Sequence, residues 1–201
     1  MAKGWTHGMD MSGVSWNDSR TATLITPRHV VMAKHYSRGP AAPVIFHDRS
    51  GKRIERKLIA FQPALGDITV GLIDEPVPPN YTPYPLPASS TKISTLPGRR
   101  VVVSDKDKNL FIHKIRLVGP GQITFEQDEE DLYGWGKNLI SGDSGNPSFL
   151  ISGNKLVLIE THTTGGPGSG PYYGDANVQA SIRRAVSKLD SNYTISTVSI
   201  P

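Results

Sequence analysis

The stretch Gly142-Asp143-Ser144-Gly145-Asn146-Pro147 lies between an apolar pair, Leu139-Ile140, and an apolar run, Phe149-Leu150-Ile151. A serine held between glycines suits an activated nucleophile. Glycine reaches backbone conformations closed to residues with a Cβ, so amide N–H groups can converge beside the hydroxyl. The motif needs partners before it carries weight, because glycine and serine also build ordinary turns, and a serine two residues after a glycine also occurs in the G-x-S-x-G elbow of α/β-hydrolases, whose last glycine is Asn146 here.

Two upstream segments supply such partners. Leu24-Ile25-Thr26-Pro27-Arg28-His29-Val30-Val31-Met32-Ala33-Lys34-His35-Tyr36 reads as a strand, a turn, a second apolar strand and a short segment presenting His35. Asp67-Ile68-Thr69-Val70-Gly71-Leu72-Ile73 opens another apolar strand with an aspartate at its lip. The chain order is therefore His35, Asp67, Ser144, which is one of the three orders in which a serine, a histidine and an aspartate recur as a nucleophilic unit.

On these motifs the chain resembles the chymotrypsin-fold serine peptidases over most of its length. Val30-Val31-Met32-Ala33-Lys34-His35 is similar to the family's strand ending in a histidine, with Lys34 where a small residue is usual. Asp67-Ile68-Thr69-Val70 resembles the family's Asp-Ile-Ala-Leu, and Gly142 to Pro147 its Gly-Asp-Ser-Gly-Gly-Pro, with Asn146 replacing a glycine. The cysteine-free bacterial glutamyl endopeptidases are the nearest in character. The resemblance implies an all-β fold of two six-stranded antiparallel β-barrels with a C-terminal α-helix. His35 and Asp67 would come from the first lobe and Ser144 from the second. It also implies His35 as general base, Asp67 as the group orienting it, Ser144 as nucleophile, and the backbone N–H groups of Gly142 and Ser144 as an oxyanion hole. A polypeptide would occupy the cleft between the lobes, with no cofactor. Two alternatives remain open: a non-catalytic peptide-binding module on the same fold, and a dedicated processing peptidase of narrow range.

The same resemblance places Asn138, six residues before Ser144, at the base of the primary pocket, where an aspartate would select basic side chains. It aligns Glu160-Thr161-His162-Thr163-Thr164-Gly165-Gly166 with the pocket wall, making His162, Thr163 and Gly165 substrate-binding candidates. A histidine can donate to a substrate carboxylate, so cleavage after Glu or Asp is the leading specificity expectation. Family members often pair the aspartate before the nucleophile with a released N-terminus. Asp143 is present, yet the chain opens Met1-Ala2-Lys3-Gly4-Trp5, so another means of ordering, or processing, is expected.

Composition is compatible with this reading. In 201 residues, 20 glycines and 16 prolines suit many short strands joined by turns. The absence of cysteine removes disulfides, thiol nucleophiles and cysteine-ligated zinc together. No two histidines stand at a metal-ligand spacing with a third ligand nearby, so no metal is expected. His7, His47 and His113 fall outside any motif, and His29, after Thr26-Pro27-Arg28, reads as a surface turn residue. A formal charge of +4 without a basic stripe argues against nucleic acid, and Arg99-Arg100 and Arg183-Arg184 read as solvated. The run Glu126, Asp128, Glu129, Glu130, Asp131 lacks calcium-loop spacing and reads as a solvated loop. Residues 1–20 hold no signal-like or membrane-spanning stretch, which leaves an intracellular or viral processing role or an export signal already removed. Oligomeric state is not legible.

Strand patterns run from Thr21 to Ile73 and from Arg100 to Thr161. Between them, Glu75 to Pro87 is too rich in proline for a central strand. The expected division is a first lobe over 1–78, a linker over 79–94, a second lobe over 95–174, a helix over 175–190 capped by Asp175, and a tail over 191–201.

Overall fold

The structure, a computed structural model, describes residue 6 and residues 8–128 and 134–201. His7, Glu129, Glu130 and Asp131 lie outside the described residues.

Short strands separated by turn residues pair into two antiparallel sheets. The first comprises β1 (Thr23–Leu24), β2 (His29–Ala33), β3 (Pro43–His47), β4 (Arg53–Pro63) and β5 (Ile68–Ile73), in the spatial order β1-β2-β5-β4-β3. Strands β2 and β5 are buried almost throughout, and their register sets Ala33 opposite Ile68. The residues just beyond that last pair are brought side by side: Lys34 donates its N–H to Asp67 O at 3.2 Å, and Lys34–Tyr36 form one 3-10 turn. The proline-rich crossing contributes β6 (Leu86–Pro87). The second sheet comprises β7 (Arg100–Ser104), β8 (Leu110–Gly119), β9 (Gln122–Gln127), β10 (Pro147–Ser152), β11 (Lys155–Thr161) and β12 (Ser169–Pro171), ordered β11-β10-β7-β8-β9-β12. Helix α1 (Ala176–Leu189) follows, and β13 (Thr197–Val198) pairs in parallel with β6.

The sequence suggests two six-stranded barrels; the molecule instead has a five-stranded and a six-stranded sheet, each curled and open. In the first, residues 13–17 cross the gap between β1 and β3 without forming a full strand. Leu24 N–H bonds Gly13 O at 2.8 Å, Ser15 N–H bonds Ala22 O at 2.9 Å, and Trp16 N–H bonds Ile45 O at 2.9 Å. Side chains replace the rest of the ladder, since the Asn17 amide accepts from Ile45 N–H and donates to Pro43 O. The buried Arg38 guanidinium binds Asn17 O, Arg20 O and Pro43 O, and burial lowers its pKa to about 10. In the second sheet the outer strands draw together where Tyr173 N–H meets Ile159 O at 2.9 Å.

Three apolar clusters hold the parts together. One fills the first sheet around Leu24, Met32, Phe46 and Leu58, and one fills the second around Val103, Ile115, Phe125 and Ile159. The third lies between them and joins Val31 and Val70 to Phe149, Leu158 and the inner face of α1, Val178, Ile182 and Val186. Asp175 caps that helix as expected, accepting from the N–H groups of Asn177 and Val178.

The segment 79–94 packs onto the molecule: Tyr81 and Tyr84 are buried, and Tyr84 donates to Asp10 O. Two expectations are corrected. Asp128 is buried, because Arg100 and Lys114 neutralise it at 2.7 Å each, while the Arg100 side chain itself stays exposed. His29 is fully buried on β2, where Thr26 draws it inward.

Candidate active site

Two strand ends of the first sheet and one loop of the second converge at the site. His35 leaves β2 and Asp67 enters β5, so the β2–β5 register alone makes them neighbours. Asp67 then fixes His35 twice, accepting the backbone N–H through Oδ1 at 2.9 Å and contacting ring Nδ1 through Oδ2 at 2.6 Å. With Asp67 ionised, Nδ1 carries the hydrogen and Nε2 is left as acceptor. Ser144 Oγ lies 2.9 Å from that Nε2.

The serine loop is shaped by glycines at left-handed φ, +95° at Gly142 and +82° at Gly145. Inside it, Asn146 N–H bonds Asp143 O, and outside it, Gly145 N–H bonds His162 O while His162 N–H bonds Asn146 O. The N–H groups of Gly142 and Ser144 have no hydrogen-bond partner among the described residues. Asp143 is buried. Its carboxylate accepts from Ile140 N–H at 2.8 Å and Lys106 N–H at 3.0 Å, with Lys137 Nζ at 3.9 Å. Backbone amides and a lysine thus hold it. Lys137 also binds the buried Asp105 at 2.6 Å. Burial pulls the Asp105 carboxyl upward, but bonds from Lys137 and Asn109 outweigh it and hold the group below its ordinary value.

The residues expected around the site are placed unequally. Thr163 is brought into it, its hydroxyl donating to Asp67 Oδ2 at 3.0 Å across the two sheets. Gly165 is exposed beside Leu139, whose carbonyl oxygen would lie 2.8 Å from a Cβ there. Asn138 is exposed, and its amide oxygen accepts from Gln127. His162 is 1% exposed, with Nε2 on Ser104 O at 3.2 Å and Nδ1 on Glu160 Oε1 at 2.6 Å. Both ring nitrogens face protein oxygens, because β11 turns this side chain into the lobe.

Sequence reading missed His113, whose Nδ1 donates to Pro167 O at 2.8 Å while Nε2 accepts Lys137 N–H at 3.2 Å. Burial lowers its pKa and keeps it neutral for that double role. Its place opposite Val101 on β8, a single polar residue at an inward position, was the available signal. Among the described residues no cluster of His, Asp and Glu has a metal-binding arrangement, and no helix is long and apolar enough to cross a membrane.

Chemically, this arrangement can pass a proton from a hydroxyl to an imidazole oriented by a carboxylate, beside two donors free to bind a developing oxyanion. No protein-family model matches the chain, and no curated protein sequence matches it.

Proposed function

We propose that the protein is a serine endopeptidase whose two sheets act as the two lobes of a chymotrypsin-type fold, with polypeptide bound between them. The observation that carries this is the continuous relay Asp67 Oδ2, His35 Nδ1, His35 Nε2, Ser144 Oγ at 2.6 and 2.9 Å, beside the unpartnered N–H groups of Gly142 and Ser144. A turn serine or a capping aspartate accounts for neither the alignment nor the free donors.

Ser144 Oγ attacks the peptide carbonyl carbon as its proton passes to His35 Nε2, and the oxyanion falls to the Gly142 and Ser144 amides. One such donor contributes on the order of 10²–10³ in rate. His35 returns the proton to the departing amine. Water then attacks the acyl ester with His35 again as base, freeing the acid and restoring the serine. Asp67 keeps the hydrogen on Nδ1 throughout, and Thr163 steadies Asp67.

A fluorophosphonate reports directly on the nucleophile. The folded protein is expected to become covalently labelled and Ser144→Ala to remain unlabelled; a folded wild-type protein that resists labelling refutes the reading and favours a peptide-binding module.

A further inference from the structure

Two segments flank the serine loop: residues 138–141, which lead into Gly142, and residues 163–168, which continue from the backbone paired to Gly145 and Asn146. A gap between them would take a substrate side chain. It is closed. Leu139 N–H bonds Gly166 O at 2.7 Å and Gly166 N–H bonds Leu139 O at 2.9 Å. The Leu139 side chain is 3% exposed and belongs to the cluster containing Phe125. It occupies the space beside Gly168, where an added Cβ would come within 2.8 Å of Leu139 Cδ1 and 3.5 Å of a Phe125 ring carbon. His113 ties the same two segments a second time, from Lys137 N–H to Pro167 O. Behind them His162 Nε2 bonds Ser104 O, and its Nδ1 lies 3.7 Å from where a Cβ on Gly168 would stand.

We propose that the subsite for the residue on the acyl side of the scissile bond is shallow, and that Leu139 restricts it to glycine, alanine and serine. The inference rests on the peptidase reading. With the acyl carbon on Ser144 Oγ and its oxygen on the two free amides, that residue's side chain points toward the Leu139–Gly166 bridge. A methyl group fits against the exposed peptide edge. A leucine or phenylalanine would have to expel Leu139 from its cluster and part both backbone hydrogen bonds. Apolar pockets discriminate by roughly 10–200-fold per methylene, so a fourfold longer side chain is effectively excluded.

The test is to digest a denatured protein mixture and map the cleaved bonds by mass spectrometry, then to repeat the map with Leu139→Ala after thermal unfolding has shown it folded. Wild-type cleavage is expected mainly after Gly, Ala and Ser. In Leu139→Ala the ratio of kcat/KM for a Leu substrate over an Ala substrate should rise at least tenfold. Wild-type cleavage mainly after Phe, Leu, Lys, Arg or Glu overturns the size limit, as does an unchanged ratio in the folded variant. If the variant does not fold, the wild-type map decides alone. A protein that takes no fluorophosphonate label loses the peptidase reading and this inference with it, whereas a labelled protein that cleaves after large residues loses only the size limit.

Discussion

Acidification offers a quantitative test of the packing on which the site stands, through His29. This ring is fully buried on β2, with Thr26 Oγ1 at 2.7 Å from Nδ1 and Tyr193 packed edge-on against it. The Thr26 hydroxyl accepts from the N–H groups of Arg28 and His29, so its hydrogen goes to Nδ1, which requires a neutral ring. Burial lowers the pKa from 6.5 to about 4; Asp190 pulls it back slightly and Arg28 pushes it further down. The unfolded chain takes up this proton near 6.5, while the folded chain resists until about 4. Stability is therefore complete above 6.5 and lost as the pH falls through that window. At 1.36 kcal/mol per unit, the loss between pH 7 and pH 4 is about 3 kcal/mol. His29→Gln keeps an acceptor for Thr26 and cannot titrate. Urea unfolding of both proteins at pH 7 and pH 4, followed by tryptophan fluorescence, isolates the term, because the carboxylates common to both cancel in the difference. Wild-type protein should lose about 3 kcal/mol more than the variant. Equal losses would refute the buried neutral histidine.

Asp67→Asn should preserve the fold yet favour the wrong His35 tautomer, lowering kcat on the order of 10⁴, as read by steady-state hydrolysis. Thr163→Val removes one hydroxyl donor from Asp67. A hydrogen bond to a charged group contributes about 1.5–3 kcal/mol, so kcat should fall roughly 10- to 100-fold with KM little changed, and Thr163→Ser should recover most of it. Lys137→Met leaves the buried Asp105 without its cation and should lower stability by about 3 kcal/mol in urea titration, with Lys137→Arg partly restoring it.

The elements were legible where pattern and burial coincide. The continuous apolar runs of β2 and β5 could be read directly, and because the two strands pair in register, the nearness of His35 and Asp67 followed from them. Strand β4 was only half visible. Its opening, Arg53-Ile54-Glu55-Arg56, carries charge on a solvated face, so it begins four residues before the apolar stretch from Lys57. Strand β12, Ser169-Gly170-Pro171, has the composition of a turn. Its glycine is required because a Cβ at Gly170 would collide with Thr161 O and the Glu160 carboxylate. Histidine environment was the least legible feature. His29 and His162 stand next to turn-like or polar neighbours in sequence, yet hydrogen-bond partners distant or unremarkable in the chain draw both rings inside.

Asn146, the residue that departs from glycine in the serine motif, shows why the site holds together across two sheets. Its amide oxygen accepts from Thr21 Oγ1 at 2.7 Å and from Lys108 Nζ at 3.3 Å, while its amide nitrogen donates to Asp143 O at 3.0 Å. Lys108 has no carboxylate within ion-pair distance among the described residues, and burial lowers its amine to about 8. A glycine at this position would remove the acceptor that Thr21 and Lys108 share, leaving Lys108 Nζ on Thr21 Oγ1 and the Thr21 hydroxyl on Ser19 O at 3.4 Å. Beside it, Gly145 lets the loop approach β2 so closely that an added Cβ would lie 3.2 Å from Ala33 N, one residue before the turn that carries His35. The Ser144–His35 separation is therefore governed by the seam between sheets: Asn146 to Thr21 on one flank, Gly145 against Ala33 in the middle, and Thr163 to Asp67 on the other. Since a misplacement of about 1 Å can cost 10²-fold in rate, substitutions along this seam should impair turnover more than their effect on stability alone would indicate.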